Sequence, residues 1–212
     1  VLFRSRTLGE GVPAVRSDHE QGGRLIARQL IDSGARHVVL VGGPRSQFAE
    51  ATTFPTIRYH LTVERMLADA GIACDYVEAG IVADICAHEA TARAIFERYS
   101  DVDALVGSDL VASVALQEAL RRGISVPRDL QIIAYDGTFM AETAGMRLTA
   151  VRQDFPAVAA ALASRMDSQI AADNGTTSAA AAEGGNAVAA NGGQSTSEDI
   201  ISVTLIPGET TR

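Results

Sequence analysis

Residues 101–137 read DVDALVGSDLVASVALQEALRRGISVPRDLQIIAYDG, and this stretch decides the fold class. The apolar run 104–106 is predicted to be a short buried strand that stops at Gly107-Ser108-Asp109. A helix follows, in which Val111, Val114, Ala115, Ala119 and Leu120 recur at helical spacing and are expected on its buried face. Gly123 ends that helix and Pro127 blocks its continuation. Residues 130–135 are a second apolar strand, ending at Asp136. Strand, helix and strand with near-continuous apolar strands predict a parallel sheet covered on both faces. In open parallel sheets ligands bind in the crevice outside the carboxyl ends of the strands. Ser108, Asp109 and Asp136 occupy such ends, so the fold expectation is also a site expectation.

The same alternation continues outward. Residues 12–16 predict a short strand leading to Asp18, and a helix runs from near Gln21 through Leu25, Ile26, Gln29 and Leu30 to a stop at Ser33-Gly34. A buried strand is expected over 37–41, a loop over 42–55, a helix over 56–70 and a strand over 73–77. A loop through Gly80 leads to a helix over 84–99 with Ile85, Ala92, Ile95 and Phe96 inward. Beyond the opening unit, a helix over 155–172 carries Pro156 in its first turn, where the missing N–H would have been unpaired anyway. Residues 173–197 are rich in Gly, Ala, Ser, Thr and Asn and lack large apolar side chains. They cannot bury enough surface to offset their chain entropy, and are expected to form a flexible insertion. Residues 200–206 predict one last strand, ended by Pro207-Gly208.

Composition excludes several function classes. The 212 residues are 47 % hydrophobic, enough for a substantial core, but only 5 % aromatic, with no Trp. The net charge of −8 and the lack of a basic face argue against nucleic-acid binding by this segment itself. Cys74 and Cys86 have no Cys-x-x-Cys spacing and read as reduced, mostly buried thiols. No apolar run approaches the ~20 residues of a membrane span. The chain opens on Val1 rather than Met, so its true N-terminus is expected upstream. Gly42-Gly43 is not followed by a dinucleotide fingerprint, and neither a P-loop nor a Gly-x-Ser-x-Gly elbow occurs. His19, His37, His60 and His88 are scattered, and His88 reads as part of a solvated helix face. The expectation is no catalysis, no cofactor and no metal.

The chain resembles the effector-binding core of the LacI/GalR family of bacterial transcription regulators. The family pattern is a strand ending in Asn-Asp, a helix, Gly-x-x-Val-Pro-x-Asp, then a strand ending in an aromatic residue and Asp. Here these read Ser108-Asp109, Gly123-Ile124-Ser125-Val126-Pro127-Arg128-Asp129 and Ala134-Tyr135-Asp136. Upstream stand Asp18-His19-Glu20-Gln21-Gly22-Gly23 and the strand leading to Gly42-Gly43-Pro44; downstream stands Leu148-Thr149-Ala150-Val151-Arg152-Gln153-Asp154. The resemblance covers residues 12–172 and the last ten or so. It implies an α/β, Rossmann-like parallel-sheet sandwich of the periplasmic-binding-protein-like type I, mostly its C-terminal subdomain. Residues 1–17 would be a remnant of the N-terminal subdomain and crossover, and 18–151 the C-terminal effector-binding subdomain. Residues 152–172 would be a returning helix, 173–198 the low-complexity insertion and 199–212 a C-terminal strand and tail. The implied function is the ligand-sensing domain of a cytoplasmic DNA-binding repressor. It would bind a small sugar-like effector between two lobes, form a homodimer, and meet DNA only through a helix-turn-helix upstream of Val1. A periplasmic-type sugar-binding protein of a transporter shares the two-lobed fold, and a Rossmann-like enzyme is a weaker alternative.

Five residues are candidate ligand contacts. Asp136, at a strand tip, can accept hydrogen bonds from vicinal hydroxyls, or it can cap the turn that Gly137 invites. Arg58, in the first turn of its helix, matches a family Arg that forks onto the effector, although Leu61 and Thr62 replace the usual Gly and aromatic residue. Ser108 replaces the family Asn and offers a shorter hydroxyl. Asp18 either lines the crossover or caps the helix at Gln21, and Gln153 lies on the returning crossover. Asp109 reads as a helix cap. Phe48 and Phe54 could stack on a sugar face or pack locally.

Overall fold

A computed structural model describes residues 2–3, 14–50, 56–79, 84–182 and 198–212. Its larger sheet is built on the opening unit. Strands β3 (His37–Gly42), β4 (Ala73–Glu78), β5 (Ala104–Ser108), β6 (Gln131–Asp136), β7 (Thr149–Gln153) and β9 (Val203–Ile206) lie in the order β4-β3-β5-β6-β7-β9. All neighbours are parallel except β9, which runs antiparallel to β7. Leu105 stands opposite Val39 on one side and Ile132 on the other.

Side chains alternate across this sheet with period two, and each set finds its own helices. Val38, Leu40, Val106, Ile133 and Tyr135 pack with Ile26 and Leu30 of α1 (His19–Asp32) and with Tyr59, Val63 and Leu67 of α2 (Ile57–Asp69). Val39, Leu105, Ile132 and Ala134 pack with Ile95 of α3 (Ile85–Arg98) and with Ala112, Ala115 and Leu116 of α4 (Asp109–Arg121). Gly22-Gly23 lets α1 approach closely. A Cβ on Gly22 would fall 2.8 Å from the Tyr135 ring, and one on Gly23 would fall 2.7 Å from the Tyr59 carbonyl oxygen.

A second sheet has the order β1-β2-β8, all parallel, from β1 (Leu2–Phe3), β2 (Ala14–Ser17) and β8 (Glu198–Ile201). Helix α6 (Phe155–Ala182) runs against β2 and β8. The chain therefore passes between the sheets three times: from Ser17 to Asp18, at Asp154, and at Ser202. These crossings are tied together. The Asp18 N–H donates to the Ile201 carbonyl at 2.7 Å, and the Val203 N–H donates to Gln21 Oε1 at 2.9 Å.

Several sequence expectations are corrected. Residues 200–206 are not one strand: Ser202 separates β8 from β9, which belong to different sheets. The 155–172 helix continues to Ala182, so 173–182 are helical rather than a structureless insertion. The alanines at 179–182 favour that outcome intrinsically, despite Gly175. Residues 183–197, the rest of the expected insertion, lie outside the described residues. A 3₁₀ turn (Arg45–Glu50) lies within the stretch read as loop, and a short helix α5 (Phe139–Thr143) follows β6, where no element was expected. Leu120 and Ile85 point outward, 46 % and 57 % exposed, while Leu116 takes the buried position on α4. His88 is buried on α3 rather than solvated. Cys86, expected inside, is exposed in the first turn of α3, whereas burial pushes the half-buried Cys74 thiol up to about 12.

The amino ends of the strands are fastened by charge. The Asp103 carboxylate, almost buried, accepts from the backbone N–H groups of Arg36 and His37 and from Arg36 Nε. His37 lies between Asp75, 2.9 Å from Nε2, and Asp101, 3.0 Å from Nδ1. Burial alone would lower the His37 pKa, but the two carboxylates outweigh it and raise it above the ordinary value. When protonated, the ring thus ties β3, β4 and the turn before β5. Its stabilisation is complete below the unfolded value of about 6.5 and is lost as pH rises through the higher folded value. His37→Gln should therefore lower the melting temperature most in mildly acidic buffer, and the gap to the parent should narrow in alkaline buffer. A gap independent of pH would refute the ion-pair account.

Candidate functional site

The candidate site is built from the carboxyl ends of β5 and β6 and the three crossings. Asp136 ends β6 with φ of 121°, the one non-glycine residue at positive φ among the described residues. Backbone strain of this kind is an observation from which function can be inferred. The turn continues through Gly137 at φ 65°, where an added Cβ would lie 2.5 Å from Arg152 Cα, so only glycine fits. Burial first, then the neighbouring Asp109 carboxylate, push the Asp136 carboxyl up to about 7, against an opposing hydrogen bond from Gln153. Gln153 Nε2 donates to Asp136 Oδ1 at 2.7 Å, and Ser17 Oγ donates to Gln153 Oε1 at 2.7 Å. This relay links β6 to residues at two of the three crossings.

A second group stands on α1 and α2. Arg58 Nη1 donates to Glu20 Oε1 at 2.7 Å, and Arg16 Nη1 donates to Glu20 Oε2 at 3.3 Å. Arg16 Nε donates in turn to Glu198 Oε1 at 2.7 Å. Burial alone would raise Glu20, but Arg58 and Arg16 outweigh it and hold its carboxyl below the ordinary range. The two groups meet at Tyr135. The Tyr59 ring stacks on it at 4.0 Å between centroids, and His19 Nδ1 lies 2.6 Å from its hydroxyl. Tyr59 adjoins Arg58 and Tyr135 adjoins Asp136 in sequence, so the stack brings the backbone of the first turn of α2 close to the end of β6. Burial, with Arg16 adding to it, lowers His19 to about 4, leaving it neutral at physiological pH.

The structure thus joins Asp136 to Gln153 and brings Arg58 against Glu20. Ser108 is the N-cap of α4, its Oγ accepting from the Val111 N–H at 3.4 Å. Asp109, read as that cap, instead lies inside the first turn of α4. It accepts from the N–H groups of Gly137 and Thr138 and from the Thr138 hydroxyl, fixing the turn after Asp136. Asp18 is the N-cap of α1, accepting from the Gln21 N–H at 2.8 Å, with Arg24 at 3.7 Å. Phe48 packs locally, edge-on to Tyr76 and beneath Arg45; Phe54 lies outside the described residues. Sequence reasoning missed Ser17, His19, Glu20 and Tyr59. Only their positions beside Asp18 and Arg58 hinted at them. Among the described residues no cluster of His, Cys, Asp and Glu is arranged to hold a metal, and no helix is long and apolar enough to cross a membrane.

Comparison with known proteins agrees with this architecture. Residues 27–186 match the periplasmic binding protein-like domain family. The ribose operon repressor of Bacillus subtilis (strain 168) is 34 % identical over 139 residues, 64 % of this chain and 40 % of that protein. The HTH-type transcriptional regulator CelR of Thermobifida fusca is 30 % identical over 159 residues, 72 % of this chain and 44 % of that protein. The chain thus spans less than half the length of these relatives. Among solved structures, a complex of the transcriptional regulator CelR with cellobiose superimposes with a TM-score of 0.74 at 23 % identity, covering 97 % of this chain and 57 % of that one. The largely parallel sheet fits these matches, and the chain belongs to the periplasmic binding protein-like domain family, of the kind found in LacI/GalR-type regulators.

Proposed function

We propose that this chain is the ligand-sensing, non-catalytic domain of a DNA-binding transcriptional repressor, and that a small sugar-like effector binds beside Asp136 between the two sheets. The observation that carries the reading is the strained, half-buried carboxyl of Asp136 tied through Gln153 to Ser17. A ligand held there touches the segments that join the sheets, so its binding energy can favour one relative arrangement over another. The names of the relatives support a sugar: they are repressors of ribose and sucrose operons and a regulator solved with cellobiose. The intact protein, in this reading, is a cytoplasmic homodimer that meets DNA through a helix-turn-helix outside this chain. The acidic charge of the chain supports keeping DNA contact elsewhere.

Calorimetric titration of the full-length protein with D-ribose, sucrose, cellobiose and related sugars tests the proposal. Asp136→Ala should weaken binding of the sugar found by about 10- to 150-fold, the equivalent of about 1.5–3 kcal/mol for a lost charge-assisted acceptor. Affinity in the parent should rise with pH through about 7, because the ionised carboxyl accepts hydroxyl protons that its neutral form accepts less well. In Asp136→Asn that pH dependence should vanish. If Asp136→Ala and Arg58→Lys both bind as tightly as the parent, the pocket lies elsewhere; if no sugar binds the parent, the effector reading fails.

A further inference from the structure

Among the described residues, the arginines at or beside the strand-tip end of the larger sheet each have an acidic partner; Arg45, just beyond β3, is paired with Glu64. Arg16 is paired with Glu20 and Glu198, Arg58 with Glu20, Arg24 with Asp18, and Arg152 with Glu142. Arg16 is only 6 % exposed, so its charge is consumed inside the network. Asp136 is the exception to the pairing: its partner is the neutral amide of Gln153, and its carboxyl neighbour is Asp109. Arg58 is the remaining cation of the group on α1 and α2, and Glu20 both neutralises and aims it. The guanidinium is still not fully satisfied, because its buried Nε has no hydrogen-bond partner.

We infer that Glu20 is a specificity-determining residue: by accepting from Arg58 on one carboxylate oxygen and from Arg16 on the other, it neutralises Arg58 and sets the site to neutral polyhydroxylated ligands and against their phosphorylated or acidic counterparts. This rests on the effector-site reading above and adds the charge class of the ligand. A phosphate brought to this end would meet Asp136 with no unpaired arginine beside it among the described residues, and would have to compete with Glu20 for Arg58. A neutral sugar meets no such repulsion and can take the donors that Glu20 leaves. Glu20 acts through Arg58 and needs no contact with the ligand.

The test uses the full-length protein and matched pairs: D-ribose, sucrose and cellobiose, each beside its monophosphate ester, titrated at pH 7.5 or so. In the parent the neutral member should bind at least about tenfold more tightly than its phosphate. Glu20→Gln releases Arg58 and should shrink that ratio by roughly tenfold, mainly by tightening the phosphate. Adding Arg58→Gln to Glu20→Gln should remove the gain, which places it on the freed guanidinium. A phosphate that binds the parent as tightly as its neutral partner overturns the inference and leaves the sensor reading intact. A ratio unchanged in a folded Glu20→Gln protein overturns it equally. Should Glu20→Gln fail to fold, Arg58→Gln decides: it leaves the Glu20 charge unopposed on that side, so the ratio must widen, and one that does not widen sinks the inference. If neither member of any pair binds the parent, the sensor reading itself fails, and this inference with it.

Discussion

Tyr135→Ala is expected to destabilise the domain by about 3–5 kcal/mol, the range for removing a buried aromatic side chain. For a chain of this size that corresponds to a melting temperature lower by roughly 6–20 °C. Three kinds of contact would be lost together. The ring is 2 % exposed and fills the core between β6, α1 and α2. It stacks on Tyr59 with planes only 5° apart. Its hydroxyl is the hydrogen-bond partner of buried His19. The cavity would open beside Gly22, where α1 has no side chain with which to refill it. Tyr135→Phe separates the contributions, since it keeps the ring and orphans His19, and should cost about 1–3 kcal/mol. Thermal or urea unfolding of the three proteins measures both. A Phe variant as damaging as the Ala variant would show that the hydroxyl, not the packing, dominates.

Asp109→Ala should be the next most damaging change, at roughly 2–4 kcal/mol, because its carboxylate gathers three donors into one turn. The Gly137 N–H lies 3.1 Å from Oδ1, and the Thr138 N–H and hydroxyl lie 2.6 and 2.7 Å from Oδ2. With those donors released, the positive-φ turn at Asp136 and Gly137 loses the group that determines it, so effector affinity should fall as well as stability. Asp109→Asn isolates the electrostatic part. It keeps the shape and removes the negative charge that helps raise Asp136. The Asp136 carboxyl should then ionise at lower pH, and the rise of affinity with pH should shift the same way. Carboxyl titration by NMR, alongside calorimetry across pH, reads this directly. An unshifted Asp136 in a folded Asp109→Asn protein would leave burial as the whole cause of its raised value.

Much of the fold was legible in the chain because period-two and helical patterns are local. The Ala104–Ser108 and Gln131–Asp136 strands, the α4 helix between them and its end at Gly123 all follow from side chains a few residues apart. The strand-tip position of Asp136 followed from the same patterns, since a parallel sheet places successive strand ends on one side. The sequence also placed Gln153 and Arg58 in the neighbourhood of that end, though only through motif resemblance.

What tertiary structure alone decided were the partners. Ser17, Gln153 and Asp136 are joined by contacts spanning 136 and 17 positions, and Arg16 reaches Glu198 across 182. No local pattern encodes such pairings. The division of 198–206 between two sheets was likewise invisible, because Ser202 carries no turn signal and the alternation of apolar residues runs straight through it. The roles of Ser108 and Asp109 were exchanged for a related reason. Either side chain can cap a helix, and the choice fell to Ser108 because the Asp109 carboxylate is drawn to three donors after β6, 28 and 29 positions away. Local sequence sets which hydrogen-bonding groups a residue offers, whereas the packing of distant strands sets which donors and acceptors come within reach.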